Sequence, residues 1–106
     1  MSKTASYTLK NGSVLVTVCG HSGEEDFYAM YDVIKEVIEP ERIKYGVDSM
    51  CVDGSFIKDG ITVRMSSESA YDDMCFLYDP SKMTEEQVNT TLKWIDLIVD
   101  TFTAKA

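Results

Sequence analysis

Two dipeptides that favour tight β-turns, Asn11-Gly12 and Asp59-Gly60, constrain the fold of this chain more than any other feature of its sequence. Each lies between runs in which apolar and polar residues alternate, as they do in strands with one buried face. Asn-Gly and Asp-Gly are the preferred central residues of type I′ turns, which join two antiparallel strands through a two-residue loop. The sequence therefore predicts two β-hairpins.

The Asn11-Gly12 turn sets the register of the first hairpin through its loop length. With a two-residue loop, Lys10 pairs with Ser13 and Tyr7 pairs with Val16. One face of the hairpin is then apolar and the other is mixed, which is typical of a sheet covered mainly on one side. The apolar face consists of Ala5, Tyr7, Leu9, Val14, Val16 and Val18.

The middle of the chain predicts further strands. The Asp59-Gly60 turn pairs Phe56 with Val63 in a second hairpin. Alternation over residues 74–78 indicates another strand. Residues 41–52 have a mixed pattern with a glycine, which indicates a connection that enters a strand only near its end.

A first helix is predicted over residues 22–39. Ser22 is a favourable N-cap, Glu25 completes a capping box three residues later, and Pro40 ends the helix, because the residue before a proline avoids helical backbone angles. Apolar residues recur at helical spacing and predict the buried stripe. The stripe consists of Phe27, Met30, Tyr31, Ile34, Val37 and Ile38.

A second helix is predicted after Thr84, the N-cap of another capping box closed by Gln87. Its apolar residues cover more than the width that one sheet contact uses. The main stripe is Val88, Leu92, Ile95, Val99 and Phe102, and Trp94, Leu97 and Ile98 widen it.

These elements predict one α+β domain over residues 1–106. The order is ββαβββα, with a sheet of about five antiparallel strands and two helices packed mainly on one face. A chain of 106 residues is long enough to bury one core without metals or disulfides.

The chain is strongly acidic, with 18 acidic and 10 basic residues and a formal net charge of −8. Nucleic acids and anionic membranes are polyanions, so this charge argues against direct binding to either. It favours a basic protein partner, since complementary charge raises the rate of association.

The sequence also predicts the compartment. The first residues contain no apolar run typical of a signal peptide, and no stretch approaches the length of a membrane helix. The chain has three widely spaced cysteines, Cys19, Cys51 and Cys75. An odd number at such spacing favours free thiols in a reducing compartment over a set of disulfides. We therefore expect a cytoplasmic protein.

No motif in the chain predicts a reaction. Gly20-His21-Ser22-Gly23 resembles a strand-to-helix nucleophile turn, but position 24 is a glutamate where that motif has glycine, and the histidine adjoins the serine in sequence. The three cysteines and His21 lack the close cysteine pair of zinc sites. Phosphate-binding glycine loops are absent. We expect no catalytic residue, metal site or cofactor.

Two blocks concentrate the negative charge. Residues 24–41 carry seven carboxylates against one lysine, a net charge of −6, and residues 68–86 carry six against one lysine, a net charge of −5. Tyrosine, a frequent interface anchor, lies in both blocks. The predicted partner-binding residues are Glu25, Tyr28, Asp32, Glu36, Glu39, Glu68, Tyr71, Asp72 and Asp73.

Three hypotheses follow. In the first, the acidic blocks dock on a basic, nucleic-acid-handling protein and inhibit it by mimicking phosphates, in the manner of immunity proteins, antitoxins and phage counter-defence proteins. In the second, the chain is a regulatory or scaffold module that forms a homodimer through its C-terminal helix. In the third, a small ligand-binding protein or enzyme uses Cys19, His21 and Ser22.

Overall fold

The predicted hairpins belong to one six-stranded antiparallel sheet in the computed structural model, which describes residues 4–47, 52–67 and 73–105. The elements are β1 (Thr4–Thr8), β2 (Val14–Val18), α1 (Gly23–Val37), β3 (Arg42–Val47), β4 (Val52–Lys58), β5 (Ile61–Ser67), β6 (Cys75–Tyr78), a 3-10 turn at Pro80–Lys82 and α2 (Glu85–Lys105). The strand order across the sheet is β1-β2-β6-β5-β4-β3. The predicted α+β class is confirmed, with one strand more than expected.

Both helices cover the same face of the sheet. α1 packs on β4 and β5, and α2 packs on β5 and on α1. Alternate residues of the strands point into this layer, as the pattern of residues 74–78 predicts, and each fully buried large apolar side chain contributes roughly 1.5–3 kcal/mol. The largest of these fully buried side chains are Phe27, Phe56, Phe76, Met30, Ile34, Met74, Ile95 and Ile98.

The second hairpin forms in its predicted register. Phe56 pairs with Val63, and Asp59 and Gly60 both have positive φ, at 53° and 76°. This is the backbone that a type I′ turn requires.

The register predicted for the first hairpin is wrong by one residue. Gly12 has a φ of 90°, but Asn11 keeps a negative φ, so the loop is a type I turn followed by a glycine bulge. The Leu9 and Ser13 backbones close the longer loop with a 2.8 Å hydrogen bond. Tyr7 therefore pairs with Leu15 instead of Val16. Because side chains alternate, this shift moves Tyr7 onto the face that the helices leave open.

The prediction of a connection over residues 41–52 is wrong for its first half. Arg42–Val47 forms β3, which pairs along its whole length with β4 and ends the sheet. The sequence of β3 does alternate, with Ile43, Tyr45 and Val47 on one side, but the glycine within it favours a connection in a reading of the sequence alone.

The start of α1 differs in detail from the prediction. Ser22 occupies the N-cap position, but its hydroxyl makes no capping hydrogen bond. The carboxylate of Asp26, rather than that of Glu25, accepts a 3.0 Å hydrogen bond from the Ser22 backbone. α1 buries Val33 in addition to the predicted stripe, whereas Tyr31 and Val37 are half-buried.

The capping box of α2 is confirmed. The Gln87 backbone N–H donates to the Thr84 hydroxyl at 3.1 Å, and the Thr84 backbone N–H donates to the Gln87 side-chain oxygen at 2.9 Å. The two bonds satisfy backbone groups that a helix end otherwise leaves without partners.

Replacement of Thr84 by alanine is expected to destabilise the protein by about 1 kcal/mol, because the N3 backbone N–H loses its acceptor. The free energy of unfolding in urea measures the loss. Thr90→Ala within α2 is the control and should leave stability unchanged or slightly raised, since alanine is the better helix former. Equal losses in the two variants would contradict a specific role for the cap.

Candidate interaction surface

The exposed side of α1 carries a stripe of carboxylates. Glu25, Asp32 and Glu36 are separated by seven and four residues, so they fall on one side of the helix over about 16 Å of its axis. All three side chains are exposed. Glu36 forms an ion pair with Lys105 near the end of α2, so its charge is partly balanced. The structure thus brings these three predicted residues together.

Glu39 lies just beyond the end of α1 in a left-handed backbone conformation, with a φ of 52°. Ile38 is the C-cap, and its backbone N–H still bonds to the carbonyl of Ile34. Glycine is the usual residue at the position after the C-cap, because a Cβ costs energy there. Glu39 is exposed and extends the acidic surface past the helix end.

An aromatic cluster flanks the stripe on the side of β3. The ring of Tyr45 lies 5.4 Å from that of Tyr28, 5.0 Å from that of Tyr31 and 6.3 Å from that of Phe27, in edge-to-face arrangements. Tyr45 is 47% exposed, and its β3 neighbour Val47 is also exposed. We call Tyr28, Tyr31 and Tyr45 the tyrosine cluster. Tyrosine is a frequent anchor of protein interfaces. Tyr45 is the exposed member of the cluster, whereas Tyr28 and Tyr31 are half-buried.

A glycine on the neighbouring strand makes room for this cluster. Gly54 stands opposite Tyr45 across the β3–β4 pair. A Cβ on Gly54 would lie 2.5 Å from the carbonyl oxygen of Lys44 and 3.2 Å from the Cβ of Tyr45. β3 can therefore lie in this position only because residue 54 has no side chain.

Sequence reasoning found only one member of the tyrosine cluster. The sequence predicts Tyr28 as a partner-binding residue, whereas it places Tyr31 in the buried stripe and Tyr45 in a connection. The alternation of Ile43, Tyr45 and Val47 was the available signal, because it places all three on one side of a strand.

The surroundings of Tyr28 favour its neutral form. Desolvation is the largest of the effects that raise the pKa of Tyr28 above its usual value. The negative charge of Glu24 and the neighbouring Tyr45 raise this pKa further. The hydroxyl therefore keeps its proton at neutral pH and can donate a hydrogen bond to a partner. The ammonium group of Lys35 lies 5.5 Å from the centre of the Tyr31 ring, so one face of the cluster already contacts a cation.

Ser67 and Met74, which flank the first part of the second acidic block, bond to residues at the start of α1. The Ser67 hydroxyl accepts a 2.9 Å hydrogen bond from the Gly23 backbone, and the Met74 backbone donates to the His21 carbonyl at 2.8 Å. Asp73, which is exposed, is thereby next to the acidic first turn. Three predicted residues, Glu68, Tyr71 and Asp72, lie outside the described residues.

Charge is separated between the two layers of the molecule. α1 carries five carboxylates and one lysine, and α2 carries four carboxylates and two lysines, so the helices have a net charge of −6. The strands have a net charge of +3, from Arg42, Lys44 and Arg64, with Asp53 and Lys58 cancelling. A partner approaching the helices meets a field more negative than even spreading of the charge would produce.

Two residues of the enzyme hypothesis, His21 and Ser22, contact Asp26 at the start of α1. The His21 imidazole lies 3.4 Å from the Asp26 carboxylate and packs edge-to-face on Phe102, with ring centres 4.8 Å apart. The Ser22 backbone bonds to the same carboxylate. Cys19 is an exposed free thiol. Asp26 and Phe102 hold His21 against the helices, an arrangement that stabilises the turn between β2 and α1.

Cys19 and Cys75 belong to no metal-ligand cluster in the part of the chain that the structure describes. Among residues 4–47, 52–67 and 73–105, no group of three or more His, Cys, Asp or Glu side chains is placed to hold a metal ion. Cys75 lies in β6 with its sulfur 3.2 Å from the Ser66 hydroxyl. Cys51 lies outside the described residues.

The outer side of α2 does not form one apolar stripe. Ile98 is buried, and Trp94 is half-buried with its ring centre 6.1 Å from that of Phe56. Leu92 and Leu97 are exposed, but residues five apart lie about 140° apart around a helix. The two leucines therefore do not combine into the seam that dimerisation through α2 would use.

No helix in the described part of the chain is both long and apolar enough to cross a membrane. Comparison of the chain with protein-family models, with curated proteins and with solved structures finds no match.

Replacement of Glu39 by glycine is expected to stabilise the protein by about 0.5–1 kcal/mol, because glycine adopts the left-handed conformation without the Cβ penalty. Lys35→Gly within α1 is the matched control and should cost about 1 kcal/mol, because glycine is a poor former of helix interior. Urea denaturation measures both, and a loss of stability in Glu39→Gly would contradict the assigned backbone conformation.

Glu24→Gln is expected to lower the pKa of Tyr28 towards its usual value, because a neighbouring negative charge is removed. NMR titration of ¹³C-labelled tyrosine measures the change, and Glu25→Gln is the control. An equal change of the Tyr28 pKa in both variants would contradict a specific effect of Glu24.

The raised pKa of Tyr28 also makes the stability of the protein depend on pH. The contribution of Tyr28 to the free energy of unfolding is complete below the unfolded pKa of about 10 and is lost as the pH rises through the folded pKa.

Proposed function

We propose that this protein is a non-catalytic binding protein that docks its acidic helical side on a basic, nucleic-acid-handling protein and blocks it stoichiometrically. The observation that carries the proposal is the tyrosine cluster beside the carboxylates of α1. Interfaces commonly combine a few buried aromatic anchors with a charged rim, and the rim here has one sign.

The carboxylates of α1 would stand in for phosphates in a groove of the partner that receives a nucleic-acid strand. The stripe on one side of the helix carries three of them over about 16 Å, roughly half the charge density of one strand of B-DNA, which has about one charge per 3.4 Å. A groove lined by lysine and arginine would therefore meet a sparser row of negative charge, to which the first turn of α1 adds Glu24 and Asp26.

The tyrosine cluster would supply the part of the interface that charge alone does not. Tyr28 and Tyr45 offer apolar rings with hydroxyl groups at their ends, and an arginine of the partner can stack on such a ring while it pairs with Glu24 or Asp32. The position of Lys35 over Tyr31 is an intramolecular example of the same contact. Immunity, antitoxin and phage counter-defence proteins are the classes to which such an inhibitor would belong.

The test begins with capture of the partner from the source cell on the immobilised protein and its identification by mass spectrometry. We expect the capture of one basic nucleic-acid-handling protein, and we expect that double-stranded DNA displaces this partner from the immobilised protein. Affinity, measured by calorimetry, should fall steeply as the salt concentration rises from 50 to 500 mM, values chosen to span roughly a threefold change in Debye length.

A pair of variants locates the interface. Glu25→Gln/Asp32→Asn should weaken binding at least about tenfold, because two charges of the stripe are lost. Asp96→Asn/Asp100→Asn changes the net charge equally on α2 and should bind nearly as tightly as the wild type. Equal losses in both double variants, or an interaction insensitive to salt, would contradict the proposal.

A further inference from the structure

The face of the sheet opposite the helices carries one continuous row of aligned side chains. The strand pairings place a residue from each of the six strands in register. Their side chains point away from the helices, because in the four inner strands the alternate residues are the buried ones and the two edge strands follow through their pairing. In order across the sheet, the row is Tyr7, Leu15, Leu77, Arg64, Ser55 and Lys44. Five strand spacings make it about 24 Å long.

One half of the row is apolar and the other half is basic. Tyr7 is 56% exposed, and with Leu15 and Leu77 it makes the half towards β1 apolar. The half towards β3 is basic through Arg64 and Lys44, both exposed. In the described part of the chain, neither cation takes part in an ion pair, although the protein has eight more acidic than basic residues.

A second row of smaller side chains runs beside the first and leaves a shallow trough. It consists of Ala5, Thr17, Cys75, Ser66, Asp53 and Gly46. One cavity of ≈ 270 Å³ is lined by Leu15, Leu77 and Arg64. Another of ≈ 450 Å³ is lined by Arg64, Ser55 and Lys44, and Asp53 of the second row lines both cavities. Arg64 borders both cavities and stands where the apolar half meets the basic half.

We propose that this open face is a second docking site, which binds a protein segment carrying apolar side chains at one end and carboxylates at the other. The apolar end lies on Tyr7, Leu15 and Leu77, and a carboxylate pairs with the planar guanidinium of Arg64, which can donate two parallel hydrogen bonds. Lys44 receives a further carboxylate. The proposal is independent of the docking of the helical side, because it uses the opposite face and the opposite charge.

The same chemistry favours a peptide over single-stranded nucleic acid. Surfaces that bind single strands stack successive bases on several aromatic side chains. Among the described residues of this face, Tyr7 is the only aromatic one, and it lies at the end of the row far from the cations. The net charge of −8 also repels a polyanion. A short segment with few carboxylates is repelled less and gains the apolar contacts.

The test is selection of a displayed library of random twelve-residue peptides on the full chain, followed by fluorescence anisotropy with the enriched peptides. The proposal expects peptides that combine apolar residues with aspartate or glutamate. Arg64→Gln should weaken their binding at least about tenfold, since a charge-assisted pair is lost, and Lys44→Gln should weaken it less. Lys93→Gln on α2 removes the same charge from an exposed helix position and should bind like the wild type.

The outcomes separate the two docking sites. Circular dichroism melting establishes that each variant is folded. Glu25→Gln/Asp32→Asn should leave peptide binding unchanged. A negative result for docking on the helical side would therefore not affect the test of this face. Three results would overturn the proposal. These are the selection of peptides without carboxylates, undiminished peptide binding by Arg64→Gln, and tighter binding of a random twelve-nucleotide single strand to the same face.

Discussion

Burial of one face of the sheet beneath two helices is the constraint on which the rest of this structure depends. Each strand turns one set of alternate side chains towards this layer, and the other set faces the open side of the sheet. Phe56, Val63 and Phe76 lie on the buried side, from three adjacent strands. Because the core has only this one layer, the outward sides of the helices and the open face of the sheet are two separate surfaces that can carry different charge.

The charge of the molecule is therefore better described by its two surfaces than by its total. The helices hold most of the excess carboxylates, and the strands hold Lys44 and Arg64, which form no ion pair with any other described residue. At physiological ionic strength the Debye length is about 8 Å, much shorter than the 31 Å width of the molecule. A partner in contact with one face thus responds mainly to that face. The net charge of −8 governs only the weak interaction at larger distance.

The two hairpins show how far local sequence reasoning reaches. Asp59-Gly60 adopts the type I′ backbone, and its register follows from the dipeptide alone. Asn11-Gly12 has equally favourable chemistry, yet Asn11 instead bonds through its side chain to the Ser13 backbone, and the loop gains a residue. The larger loop brings Tyr7 beside Leu15. Turn preferences differ by little free energy, so packing of the whole strand decides between two compatible loops.

The sequence by itself determined the features that act over a few residues. These are the α+β class, the capping box of α2 and the carboxylate stripe of α1, because each depends on backbone preferences or on a helical period. Only the tertiary structure decided that Tyr45 joins Tyr28 and Tyr31, and that Arg64 aligns with Leu77 and Lys44. These residues are distant in the chain and meet through strand order and register, which the packing of the whole sheet sets.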